Sequence, residues 1–336
     1  MQKIYQVDET EARKLAFLYR HSGIENRYSV IPDYGMKTAD WTFFDPLFQK
    51  PLPPVEERMK LFDREACDLS TAAIRDCVAK HIAIDEITHL ITVSCTGLAA
   101  PGLDLQIVEK LKLNKTIFRT SVNFMGCYAA IHALKMAKMI CDTTPGANVV
   151  VVASELCTLH FQNQYTPDNV ASSLLFGDGS AAILLRHRAE DAKGLKIENF
   201  YSSISFNGKN DMTWSISSSG FLMSLSSDIP TLIAADIEAL LKEALDHYSI
   251  RKKDITHWCI HPGGKRILQV IKQKLQLTEE DLCFSKEVLL NYGNMSSPTV
   301  LFILKEMVQH LRKGDNVFCV GFGPGLTMET ALFKQQ

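Results

Sequence analysis

The chain has 336 residues, 46% hydrophobic and 22% charged, with 36 Lys and Arg against 38 Asp and Glu. This balance excludes the basic excess that marks partners such as nucleic acid or an anionic membrane surface. The apolar content supports more than one core, and no apolar run reaches membrane-spanning length.

From the N-terminus, Thr10 to His21 reads as a helix that turns at Gly23. Residues 31–60, rich in Pro and aromatics without a period, read as an irregular surface crossing, and Val55 to Lys80 carries an amphipathic helical pattern. Ile87 to Val93 is a predicted strand ending at Ser94-Cys95-Thr96-Gly97. Phe124-Met125-Gly126-Cys127 then turns into a helical run from Ile131 to Ile140. Glycine tolerates the sharp turn, and a thiol at a helix N-terminus lies in a field that favours the thiolate. Cys127 is therefore a candidate nucleophile; its plainer reading is a small buried cysteine where strand meets helix. The nine cysteines are odd in number and mostly sit in apolar runs, which predicts a reduced, cytoplasmic protein. No His/Cys spacing suits a metal, so neither metal nor cofactor is expected.

The second part of the chain echoes the first. Ile87-Thr88-His89 returns as Ile255-Thr256-His257, and Asn148-Val149 returns as Asn316-Val317, both after 168 residues. Two echoes in one register indicate an internal duplication. The strands are short continuous apolar runs separated by helices, as parallel strands buried on both faces require. Two α/β halves follow, residues 1–190 and 191–336, related by a pseudo-two-fold. Gly126-Cys127 in one half and Gly293-Asn294 in the other then point at a shared centre. His261 ends its strand where open α/β sheets hold ligand-binding groups. Individually, His261 also reads as a strand-end cap and Asn294 as a helix N-cap. Together with Cys127 they suit acyl transfer, with a thiolate attacking a thioester and the imidazole and amide donating to an oxyanion. A strand from Leu195 to Ser205 opens the second half; the first half offers only Lys3 to Val7 as a remnant of its counterpart.

Gly126-Cys127, Ile260-His261-Pro262-Gly263-Gly264, Tyr292-Gly293-Asn294-Met295-Ser296-Ser297 and Gly321-Phe322-Gly323-Pro324-Gly325-Leu326-Thr327 resemble the type III polyketide synthases, the chalcone synthase relatives. The middle of the chain, with Trp214 and Gly220-Phe221, is more similar to bacterial members than to plant ones. The resemblance implies an α/β thiolase-like fold of duplicated βαβαβ halves in five layers (αβαβα), lacking its first N-terminal strand, which would belong near the middle of the first sheet. It implies a homodimer acting on free coenzyme A thioesters, an acyl-CoA starter and malonyl-CoA, without a carrier protein. By this resemblance Cys127 is loaded with the starter, while His261 and Asn294 promote decarboxylation and hold the enolate. Phe176 matches a gatekeeper, and Met223 stands where chalcone synthase has a second, phenylalanine gatekeeper. Cys95, Cys157, His160, Trp214, Ser296 and Pro324 match chamber-shaping positions, and the departures among them favour a pyrone, resorcinol or phloroglucinol-type product over a flavonoid one. Arg27, Lys265 and Arg266, with Gly263 and Gly264, are offered for coenzyme A. Two rival readings stand beside this one: a ketoacyl synthase III-like condensing enzyme, and a non-catalytic acyl-CoA-binding scaffold.

Overall fold

The computed structural model describes residues 2–187 and 194–336. The expected boundary between the halves, at residue 190, lies outside the described residues. In chain order the strands are β1 (His89–Ser94), β2 (Phe118–Asn123), β3 (Asn148–Leu156), β4 (Asp178–Arg186), β5 (Leu195–Ile204), β6 (Met212–Ser217), β7 (Gly220–Leu225), β8 (His257–Ile260), β9 (Asn316–Gly323) and β10 (Thr327–Gln335). The helices are α1 (Gln2–Tyr5), α2 (Glu9–His21), α3 (Val55–Val78), α4 (Leu103–Leu111), α5 (Ala129–Thr143), α6 (Pro167–Leu175), α7 (Ile229–Tyr248), α8 (Lys265–Lys274), α9 (Cys283–Tyr292) and α10 (Pro298–Val308).

One sheet runs β2-β1-β3-β4 and a second β5-β10-β9-β8, with β6 and β7 as a separate hairpin. The duplication extends to individual hydrogen bonds. Asn148 Nδ2 donates to the Glu86 carbonyl at 2.8 Å, and Asn316 Nδ2 to the Asp254 carbonyl at 2.9 Å. Thr88 and Thr256 hydroxyls donate to the carbonyls of those same asparagines. Alternate strand residues serve different layers. Val149 and Val151 pack with Leu134 of α5 and Val300 of α10, while Val150 and Val152 face Ile74 of α3 and Ile107 of α4. In the second sheet Val317 and Cys319 join the α5/α10 layer, and Phe318 and Val320 face α7 and α8. The order is therefore helix, sheet, helix, sheet, helix, the expected five layers. Burial on both faces explains why the central strands are continuous apolar runs.

Two expectations need correction. Lys3 to Val7 is no strand: Gln2–Tyr5 is a single helical turn. The strand that opens the second half, β5, lies at a sheet edge against β10, so its first-half counterpart would flank β4 at the edge rather than near the middle. Residues 31–54 are irregular and lie mostly at the surface, as expected, and the segment is pinned at three points. Ile31, Asp33 and Phe44 are buried, because the Asp33 carboxylate accepts the backbone N–H groups of Thr42, Phe43 and Phe44 and folds the segment onto itself.

Candidate active site

A cavity of about 630 Å³ opens where the two halves meet. All sixteen site residues expected from the sequence line it: Cys127, His261 and Asn294; Phe176, Met223, Cys95, Cys157, His160, Trp214, Ser296 and Pro324; and Arg27, Lys265, Arg266, Gly263 and Gly264.

Cys127 sits in a 3-10 turn, Gly126–Tyr128, that leads into α5. Gly126 has φ +79°, and a Cβ there would lie 2.4 Å from Pro324 Cδ. The nucleophile turn of one half is thus seated against the glycine-rich loop of the other. Gly126→Ala is expected to displace Cys127 and lower stability by about 1–3 kcal/mol. Thermal denaturation together with an acyl-loading assay checks both effects. The thiol does not gain the depressed pKa that its helix position suggested: burial pushes Cys127 up to about 11, and desolvation outweighs the helix field. Its Sγ lies 4.0 Å from Asn294 Oδ1.

Asn294 is held by backbone pairing across the interface, with its N–H to the Leu175 carbonyl at 2.9 Å and its carbonyl accepting from Gly177 N–H at 3.0 Å. Phe176, between those partners, bridges the same residue. The Ser296 N–H donates to Asn294 Oδ1 at 2.8 Å, which leaves the amide NH2 as the donor for a ligand. His261 directly follows β8, its backbone N–H bonded to the Val320 carbonyl at 2.9 Å. It is 1% exposed, and both ring nitrogens are without a hydrogen-bond partner among the described residues. Burial lowers its pKa to about 3, so the ring is neutral. A buried, unpartnered imidazole lining the same cavity as a thiol is a group kept for a reactant.

The chamber wall is tied together by His160 and Trp214. His160 Nε2 donates to the Thr96 carbonyl at 2.7 Å, and its Nδ1 accepts from Phe221 N–H at 3.0 Å. The ring stacks on Phe221 at 4.2 Å, and Trp214 Nε1 donates to the Cys95 carbonyl at 2.6 Å. Trp214 and Met223 are directly paired across the β6–β7 hairpin. Cys95 Sγ accepts from Gly126 N–H at 3.1 Å, one residue from the nucleophile. Arg27 faces the cavity, yet its guanidinium donates to the Ser173 and Leu174 carbonyls at the end of α6. Those last-turn carbonyls are the natural acceptors for a cation there, so Arg27 braces the fold instead of waiting for phosphate. Lys265 and Arg266 are exposed at the rim.

The sequence reading missed Glu155. Fully buried at the end of β3, its carboxylate accepts from Cys95 N–H at 2.9 Å, Thr96 Oγ1 at 2.8 Å and Ser297 Oγ at 2.9 Å. Burial raises it to about 7. It joins the loop after β1 to the loop carrying Asn294, beneath the nucleophile. A lone acid closing the apolar run Val149 to Leu156 was the available signal.

Comparison with known proteins agrees along the whole chain. The profile of chalcone and stilbene synthases, N-terminal domain, matches residues 4–187, and that of their C-terminal domain matches residues 201–335. Type III polyketide synthase 21 of Oryza sativa subsp. japonica is 32% identical over 295 residues, 84% of this chain and 75% of the relative. The alpha-pyrone synthesis polyketide synthase-like Pks18 of Mycobacterium tuberculosis is 29% identical over 336 residues, 97% of this chain and 84% of the relative. The crystal structure of PKS-I from the brown alga Ectocarpus siliculosus has a TM-score of 0.89 at 29% identity, covering 98% of this chain and 90% of that one. With this thiolase-like fold and matches spanning both halves, the chain belongs to the chalcone and stilbene synthase family, the type III polyketide synthases.

Proposed function

We propose that the protein loads an acyl-CoA starter on Cys127, extends it by decarboxylative condensation with malonyl-CoA, and cyclises the product to a pyrone, resorcinol or phloroglucinol-type ring. The observation that carries this reading is the convergence of a thiol, an unpartnered neutral imidazole and an oriented amide in one cavity. In loading, His261 takes the Cys127 proton as sulfur attacks the thioester carbonyl, and returns it to the departing coenzyme A thiolate. The ring is then neutral again. Its N–H and the Asn294 NH2 bind the malonyl thioester oxygen, which collects the electron pair released with carbon dioxide. The enolate carbon attacks the Cys127 thioester, the thiolate leaves, and the extended chain is carried on coenzyme A. Oxyanion donors of this kind are worth about 10²–10³ in kcat, so Asn294→Ala is expected to slow malonyl decarboxylation by that factor and starter loading by much less. Equal losses in the two half-reactions would remove Asn294 from this role.

His160 and Trp214 support a short product, since two bulky rings fill the wall of a cavity that must hold both starter and extender. The relative named for alpha-pyrone synthesis supports a pyrone among these ring types. Trp214→Gly is expected to lengthen the main product by at least one C2 unit. The test is incubation with malonyl-CoA and short, long-chain and aromatic acyl-CoAs, with products read by mass spectrometry. Polyketides establish the reaction and their masses give starter and extension number; coenzyme A binding without products would favour the acyl-CoA-binding scaffold.

A further inference from the structure

Among the described residues, two non-glycines that line the cavity hold a positive φ, Phe124 at 57° and Ser296 at 59°. L side chains enter this left-handed region at a cost, and a bulky ring does so only under constraint. At Ser296 the strain has a use, since it accompanies the N–H that turns back onto Asn294 Oδ1 at 2.8 Å. Phe124 stands three residues before Cys127, where β2 leaves the sheet for the nucleophile turn. Its own N–H still reaches the Ser94 carbonyl at 3.4 Å, so this left-handed residue makes the change of direction. Glycine or asparagine would take the conformation with less strain; a phenylalanine there is kept for its ring. That ring packs on Phe221, with centroids 5.4 Å apart and planes at 52°. Phe221 is 2% exposed, and its stack on His160 and its N–H bond to His160 Nδ1 hold it in place.

We propose that Phe124 is a positioning residue for Cys127: its ring, seated on Phe221, holds the strained backbone that carries the sulfur into the chamber. The role rests on the acyl-loading reading above and deepens it. It joins the nucleophile to the wall formed by His160, Trp214 and Phe221, so one aromatic cluster shapes the acyl chamber and sets where the thiol stands.

The test follows acyl loading by intact-protein mass spectrometry over a range of acyl-CoA concentrations. Phe124→Ala is expected to lower the maximal loading rate by about 10²-fold, the cost of a displacement of about 1 Å, with the half-saturating concentration little changed. Phe124→Tyr, which keeps the ring, is expected to load at close to the wild-type rate. Phe124→Gly separates placement from stability. Glycine enters the left-handed region freely, so this variant is expected to melt no lower than Phe124→Ala and yet to load no faster. In a Phe221→Ala background the loss caused by Phe124→Ala is expected to shrink, because the two rings act as a pair. A glycine variant that recovers the rate along with the stability means that Phe124 only supports the fold, and overturns the proposal. So does a raised half-saturating concentration at an intact maximal rate, which would make Phe124 a wall of the acyl-CoA site. Loading needs no condensation: a wild type that loads and makes no polyketide leaves the role of Phe124 standing and overturns only the synthase reading. A wild type that never loads overturns both.

Discussion

Cys127→Ala is expected to abolish covalent acylation and all condensation while the protein stays folded. The thiol faces the cavity and meets two small polar partners, Asn294 Oδ1 at 4.0 Å and the Ser296 side chain, so its removal leaves the surrounding packing in place. The chemistry has no substitute for it, because chain extension needs a thioester held where the enolate forms. Cys95 and Cys157 line the same chamber, but burial holds both thiols far above the usual range. The Cys95 sulfur already accepts from Gly126 N–H. Intact-protein mass spectrometry after exposure to acyl-CoA gives the answer. An acyl increment on the wild type alone, mapped to the peptide containing Cys127, is the expected result. An increment of equal yield on Cys127→Ala would move the nucleophile to one of the neighbouring thiols.

Much of this site was legible in the sequence because two strands and their caps were written twice. Buried parallel strands admit little besides Val, Ile and Leu, and the Thr and Asn residues that close their ends recur at the same spacing. Once the halves are superposed, Cys127, His261 and Asn294 fall at strand and helix ends facing one another. What the sequence did not disclose depends on contacts between distant segments. Glu155 looks like any acid at a strand end until Cys95, Thr96 and Ser297 are folded around it. Arg27 looks like a free cation until the carbonyls of α6 reach it. The thiol of Cys127 has the local setting of a thiolate, but the depth of the chamber reverses the sign of its shift. A helix field acts through one turn of neighbouring sequence, whereas desolvation is set by the whole enclosure.

His261→Ala is expected to lower both loading and decarboxylation by about 10²–10⁴, the usual worth of a positioned acid–base group. His261→Gln separates its two tasks. A glutamine amide donates to the enolate oxygen but cannot take the Cys127 proton, so decarboxylation should recover further than loading. Equal recovery of both would mean that His261 only fills space. The same imidazole leaves a signature on stability. Its pKa falls from 6.5 in the open chain to about 3 on burial, so between those values the unfolded chain binds the extra proton. Its contribution to stability is fully present above pH 6.5 and is lost as pH falls toward 3. Each pH unit below 6.5 costs the fold about 1.4 kcal/mol through this ring alone. His261→Ala should therefore lose less stability between pH 7 and pH 5 than the wild type does, as read from denaturant midpoints at the two values. An identical pH dependence in both proteins would mean that folding does not shift the His261 ring, and a smaller loss in the wild type than in His261→Ala would mean that the ring is paired and charged in the folded state, recasting loading as attack by a preformed thiolate.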